Sequence, residues 1–365
     1  MVRLTGIREL ARACGVSVAT VSRALNGHPE VNVETRKQIQ LAAERLGYRP
    51  SQSARALVRG RSDAVGLLWD SYYESAGRRH PFLLSLLVGI KQALSGVGRH
   101  LILLNVEVDH RQGEGAYLDL ARQFQLDGVV VMGVNEHRAA LRALYESGFP
   151  CVAIDCPIAG PRAGCVASDN RAGAAEAVRH LHALGHRRIA TITGPLEMMP
   201  ASHRLTGFHD AADELGLPLE PDYVQTGDFF MDSGYACGRR LADLPAERRP
   251  TAVFVAGDEM ALGAMHAFAD AGLDVPRDIA VVGFDDIEAA GLVRPALTTV
   301  AQDSLALGAA AVDLLLGFVD GKPATPGPAP EPVLAPTRLI VRQSCGADLR
   351  ATSSAPPSDR PRSEA

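Results

Sequence analysis

The sequence predicts a small all-α headpiece followed by an α/β body of two lobes, and three observations carry the prediction. In the first 62 residues, apolar side chains recur at helical spacing around a glycine turn. From Ala64 onward, buried-strand runs alternate with helical stretches often enough for two parallel sheets. The charge divides at the same place. Residues 1–62 hold 11 Lys/Arg against 4 Asp/Glu, a formal +7, so the rest of a chain of net charge −5 carries −12. A basic end on an acidic body suits a protein that touches a polyanion with one end only.

Within the basic end, Ile7, Leu10 and Ala11 mark the apolar side of a first helix, and Gly15 makes a tight turn. Val16, Val21, Ala24 and Leu25 mark the buried side of a second. A third begins after Asn32, a good N-cap, runs through Ile39, Ala42, Ala43 and Leu46, and stops at Gly47. Helix, glycine turn and helix is a helix-turn-helix. With Val16, Val21 and Leu25 inward, helical spacing places Val18, Ala19, Ser22, Arg23 and Asn26 outward. Small apolar groups there can approach a thymine methyl, arginine can donate twice to guanine, and Ser or Asn can bond phosphates or base edges. In RPSQSARALVRGRS, Pro50 breaks the third helix, Ser51 can cap a fourth and Gly60 ends it. That helix is too short to persist alone. Arg55, Arg59 and Arg61 supply charge, while Leu57 is an apolar side chain suited to wedging between base steps.

In the body, AVGLLW, LILLNV, DGVVVMG, PCVAID, RIATITG, YVQTGDF, TAVFVAG and DIAVVGFDD read as strands. Helical patterns cover 82–97, 171–184, 204–215, 258–271 and 304–319. A cleft between two such lobes is where small ligands bind. PATPGPAPEPVLAP is a Pro-rich connection, and the tail from residue 346 is expected to be disordered. No apolar run of about 18 residues could span a bilayer, and the N-terminus lacks the apolar core of a secretory signal, so a cytoplasmic protein is expected. Six scattered cysteines form no CxxC pair and read as reduced, packed thiols.

Together these residues resemble the LacI family of bacterial transcriptional regulators over residues 6–345. The motifs are GVSVATVSRALNG and ETRKQIQLAAERLGYRPSQSARAL at the basic end. In the body they include SDNRAGAAEAVRHLHALGHRRIATITGP, PTAVFVAGDEMALGA and VPRDIAVVGFDDI. The resemblance implies a helix-turn-helix domain (1–50), a hinge helix and linker (51–62), a two-lobed periplasmic-binding-protein-like effector and dimerisation domain (63–345), and the tail (346–365). It also implies a dimer or tetramer on double-stranded operator DNA with an inverted repeat, a small effector, and no cofactor or membrane. The recognition helix would be Ser17 to Leu25, with Val18, Ala19 and Arg23 reading bases. Ser17, Thr20, Ser22, Asn26 and Arg55 would be further DNA contacts, and Leu57 the hinge leucine. Effector contacts would be Phe82, Arg204, Phe229, Asp258 and Asp285. An arginine and two aspartates with aromatic faces suit sugar hydroxyls.

Two departures from the family pattern stand out. Gly6 occupies the usual threonine cap of the first helix, where Thr5 could cap instead, and the loop before HPF (70–81) is long. Met198, Met199 and Pro200 lack the polar groups that would hold a purine, which favours a sugar. An enzyme with nucleotide-binding lobes is disfavoured, because GVGRH precedes a strand and no GxGxxG, GxxxxGKS or GxSxG occurs. A transport-type sugar-binding protein is opposed by the headpiece and the missing signal. His180, His182 and His186 could suggest a metal, but Arg187 and Arg188 beside them would repel a cation, so no metal site is expected.

Overall fold

The computed structural model describes residues 6–25, 27–48, 61–69, 80–104, 113–133, 139–322 and 331–349. The chain divides into two compact units, Met1–Asp63 and Ala64–Ala365.

The first unit packs three helices, α1 (Ile7–Cys14), α2 (Val18–Leu25) and α3 (Val33–Arg45). Gly6 is the N-cap of α1, and the missing side chain is made good from inside the helix: the Glu9 carboxylate accepts the Gly6 N–H at 3.2 Å. Thr5 lies outside the described residues. Gly15 ends the helix at φ 65°, a left-handed backbone that glycine adopts without strain. Ser17 Oγ caps α2 by accepting the Thr20 N–H at 3.0 Å, and Asn32 Oδ1 caps α3 by accepting the Glu34 N–H at 2.8 Å. Leu10, Val21 and Ile39 are wholly buried at the centre. Each such burial is worth roughly 1.5–3 kcal/mol.

The second unit contains two lobes. The first is built from β1 (Ala64–Trp69), α4 (Pro81–Gly96), β2 (His100–Leu104), α5 (Ala116–Gln123), β3 (Gly128–Met132), α6 (Ala139–Glu146), β4 (Cys151–Ile154) and β5 (Ala163–Ser168). The second starts with α7 (Asn170–Ala183), β6 (Ile189–Thr193), α8 (Met199–Glu214), β7 (Val224–Thr226) and α9 (Met231–Ala242). It continues through β8 (Ala252–Val255), α10 (Asp258–Asp270), β9 (Ala280–Asp285), α11 (Glu288–Leu292) and β10 (Thr298–Gln302). The chain then returns as α12 (Ser304–Val319) and β11 (Val333–Ala335) to the first lobe, and ends as β12 (Thr337–Ile340) in the second.

The sheet orders are β2-β1-β3-β4-β5-β11 and β7-β6-β8-β9-β10-β12, parallel throughout except for β12 against β10. Strands covered by helices on both faces are buried on both faces, which is why they read as unbroken apolar runs. The chain therefore crosses between lobes three times, after Ser168, after Gln302 and at Pro336. Asp169 and Asp303 cap the helices that leave two of the crossings, and Asp169 N–H donates to Ala335 O at 2.8 Å, fastening the first crossing to the third. Among the described residues no helix is long and apolar enough to cross a membrane. All six cysteines are free thiols, and all but Cys14 are buried.

Candidate functional site

The outer face of α2 presents Val18 (41% exposed), Ala19 and Arg23, with Ser17 exposed just before it. Ser22, expected outward, is half-buried, and so is Thr20. Ser22 follows the buried Val21 by 100° of helical turn, so it sits on the shoulder of the helix. The Ser17 hydroxyl is engaged as the cap and lies 2.8 Å from Thr20 Oγ1. Arg23 approaches Glu30 at 3.6 Å with both side chains more than half exposed, a pair too solvated to fix the guanidinium. Asn26, Arg55 and Leu57 lie outside the described residues.

In the second unit a cavity of about 60 Å³ separates the lobes. The first lobe contributes His80, Phe82, Leu86, Met132, Ile154 and Asp155; the second contributes Met198, Pro200, Arg204, Phe229 and Asp285. Four of the five effector residues expected from the sequence thus converge. Arg204, on α8, is 3% exposed. Its Nε donates to Asn170 Oδ1 at 2.8 Å, its Nη1 to Ala256 O at 2.6 Å and to Asp285 Oδ1 at 3.4 Å. Its guanidinium lies 3.8 Å from the Phe284 ring centroid, a stacking contact available to arginine's planar cation. Phe229 sits at φ 70° with its ring against Gly194, where a Cβ would collide with it. Strained backbone gathers here, with Asp155 at φ 55°, Asp285 at φ 117° and Asp286 at φ 57°.

Asp258 does not line the cavity. It is wholly buried, Oδ1 accepting from the Thr299 hydroxyl at 2.6 Å and Oδ2 from the Ile287 N–H at 3.0 Å. Gly283 passes so close beneath its carboxyl that any Cβ there would collide with Oδ1. Oδ2 thus secures the chain just after Asp285, while Oδ1 is fixed to β10.

Two further residues, Asp155 and His80, line the cavity, and a third, Gln302, bonds a residue that does. Asp155 ends the β4 run PCVAID, and an acid at the carboxyl end of a parallel strand is a signal the sequence did carry. His80 packs edge-on against Phe229 and Phe230, at 6.4 and 6.1 Å between ring centroids. Gln302 Nε2 donates to Asp285 Oδ1 at 2.6 Å. No sequence signal marks it, because only the β9–β10 pairing sets it beside Asp285.

Burial dominates the electrostatics. It pushes Asp155 and Asp285 up to about 6, in each case against the pull of Arg204. Asp258 is raised well above the carboxylate range, by burial first and the nearby Asp285 second. Burial and then Arg204 lower His80 to about 4, so it is neutral near pH 7. Asp155 Oδ1, Asp285 Oδ2, Gln302 Oε1 and His80 Nδ1 are buried with no hydrogen-bond partner among the described residues. Leaving a buried polar atom unpaired costs about 1–3 kcal/mol, so the three on His80, Asp155 and Asp285, which line one cavity, mark a place built for a polar ligand.

Comparison with known proteins agrees with this architecture. Residues 6–51 match the profile of bacterial regulatory proteins of the lacI family, and residues 178–345 that of a periplasmic binding protein-like domain. Catabolite control protein A of Priestia megaterium is 34% identical over 319 residues, 86% of this chain and 92% of that protein. The lac repressor dimer bound to operator and the anti-inducer ONPF superposes with a TM-score of 0.79 at 30% identity, covering 94% of this chain and 99% of that one. A complex of the transcriptional regulator CelR with cellobiose gives a TM-score of 0.68 at 32% identity, covering 93% and 99%. With its three-helix headpiece, twin parallel sheets and near full-length likeness to these regulators, the chain belongs to the LacI family of bacterial regulatory proteins and is a transcriptional regulator, not an enzyme.

Proposed function

We propose that this regulator is a cytoplasmic repressor of carbohydrate-use genes, which binds an inverted-repeat operator as a homodimer and answers to a small sugar held between its lobes. The observation that carries the sugar reading is the pair of unpartnered buried acceptors, Asp155 Oδ1 and Asp285 Oδ2, on residues that line one cavity with the Arg204 guanidinium. Sugar hydroxyls can donate to the acceptors and accept from Arg204, while Phe82 and Phe229 cover the apolar face of the ring. Cellobiose in the CelR complex belongs to the same chemical class. A purine finds less to hold it, since Met198 and Pro200 line the wall with no polar group. A cavity of about 60 Å³ admits a few water molecules, so a sugar enters by parting the lobes at their three crossings.

In this reading Phe82, Arg204, Phe229 and Asp285 touch the effector, and Asp258 sets the turn that aims Asp285. At the DNA end, residues 1–50 form the headpiece and 51–62 the hinge. Val18, Ala19 and Arg23 read bases; Ser17, Thr20, Ser22, Asn26 and Arg55 bond the backbone or base edges; Leu57 wedges into the operator centre. The test has two steps: sequencing the genomic fragments that the protein retains, then screening sugars for release of those fragments. An inverted repeat among the fragments and release by a sugar support the reading. Retention without sequence preference, or release by nucleobases alone, overturns it. Asp285→Ala should bind the operator normally yet ignore the releasing sugar.

A further inference from the structure

Asp285 reaches the cleft from an unusual piece of backbone. β9 ends with Asp285 at φ 117° and Asp286 at φ 57°, and the chain then doubles back, bringing the Ile287 N–H to Asp258 Oδ2 and the Leu297 N–H to Ala290 O. Two consecutive non-glycine residues with positive φ persist only where the surroundings over-determine them. One restraint is Asp258, from α10. The other comes from Arg342, just past β12 and 56 residues from Asp286 in sequence. Its Nη2 donates to Asp286 Oδ1 at 2.6 Å, its Nη1 to Leu297 O at 2.9 Å, and its backbone N–H to Thr298 Oγ1 at 2.9 Å. Both partners are about one-quarter exposed, so the pair is far better shielded than a surface ion pair. Arg342 thereby joins the reversed turn to the start of β10.

We propose that Arg342 is a positioning residue, whose ion pair with Asp286 holds the reversed turn that aims Asp285 into the effector cleft. It touches neither the cavity nor Arg204, and acts only through Asp286. The functional consequence rests on Asp285 being an effector contact, as proposed above; the positioning itself does not.

The test therefore needs no effector. The full-length protein, labelled with carboxyl-¹³C aspartate, is titrated by NMR, and Asp285 is assigned by the signal lost in Asp285→Asn. Arg204, Asp155, Asp258, Asp286 and Arg342 are the charged groups around it, and in the unmodified protein it titrates near 6. In Arg342→Gln the turn relaxes, the carboxyl leaves its buried slot and the midpoint falls toward the ordinary carboxylate range. Removing a cation that acts only through space would raise the midpoint instead, so the sign separates positioning from simple charge. Arg342→Lys keeps the pair with Asp286 and should keep the original value. If Arg342→Gln does not fold, Arg342→Met, which fills similar space and also lacks the cation, makes the same test with the same signs. An unmoved or raised midpoint in the variant tested overturns the proposal. An Asp285→Ala protein that still answers its sugar would refute the effector reading while leaving this result intact.

Discussion

Arg23 and Asp155 show how surroundings set what a charged side chain can do. Arg23 is exposed and only loosely paired with Glu30, so its guanidinium is available for bidentate donation to a base. Arg23→Ala should cost on the order of 1–3 kcal/mol at its operator base pair and much less on random DNA. Equal losses on both, measured by titration at fixed salt, would make it a phosphate contact instead. Asp155 is buried, and its carboxyl is raised to about 6 in the folded chain against an ordinary value near 4. Between those pH values the folded state holds the proton that the unfolded state has released, so stability falls as pH rises from 4 to 6 and is level above. His80, lowered to about 4, contributes the opposite slope over the same range. The informative quantity is therefore a difference: Asp155→Asn should gain stability relative to the unmodified protein as pH climbs from 4 to 6. Unfolding midpoints at several pH values check it, and a gap independent of pH would remove the burial argument.

At the scale of elements, α9 and α10 pack so closely that glycine is a requirement of the contact. A Cβ at Gly234 would strike Met260 O, and one at Gly263 would strike Met231 O. On a free helix Gly→Ala stabilises by about 1 kcal/mol. Here the overlap is with backbone, which cannot swing aside, and overpacking costs about 1–3 kcal/mol. Gly263→Ala should thus destabilise the protein; a raised urea midpoint would show that the helices can part freely. Gly234 and Gly238 explain why α9, MDSGYACGRRLA, carries so weak a helical signal in the sequence. β5, AGCVAS, is equally faint because its small residues leave room for α12, with Gly164 lying under Leu314 and Phe318. The fourth helix expected over 51–60 falls outside the described residues. Amide hydrogen exchange over 51–60, measured with and without operator, tests that expectation: exchange there should slow on DNA.

For the whole molecule, regulation requires that the cleft and the headpiece influence each other, and any such coupling is reciprocal. A sugar that weakens operator binding must itself bind less tightly to the operator complex, by the same factor. Leu57→Ala should weaken specific DNA binding while sparing the fold, the dimer and sugar affinity in the absence of DNA. Measuring the releasing sugar's affinity with and without operator decides the matter, and equal values would mean that the two ends do not communicate.

Most of the architecture was legible in the sequence, because its signals are local: helical spacing around Gly15, the cap at Asn32, and unbroken apolar runs where strands are covered on both faces. Family motifs extended this to Phe82, Arg204, Phe229 and Asp285, which do meet around one cavity. Only the tertiary structure decided that Asp258 turns both oxygens away to Thr299 and Ile287, that Gln302 bonds Asp285, and that Arg342 restrains Asp286 from 56 residues away. A hydrogen bond is satisfied by whichever partner the fold brings within about 3 Å. Partners brought together by β9–β10 pairing and by three crossings between lobes leave no periodicity in the chain.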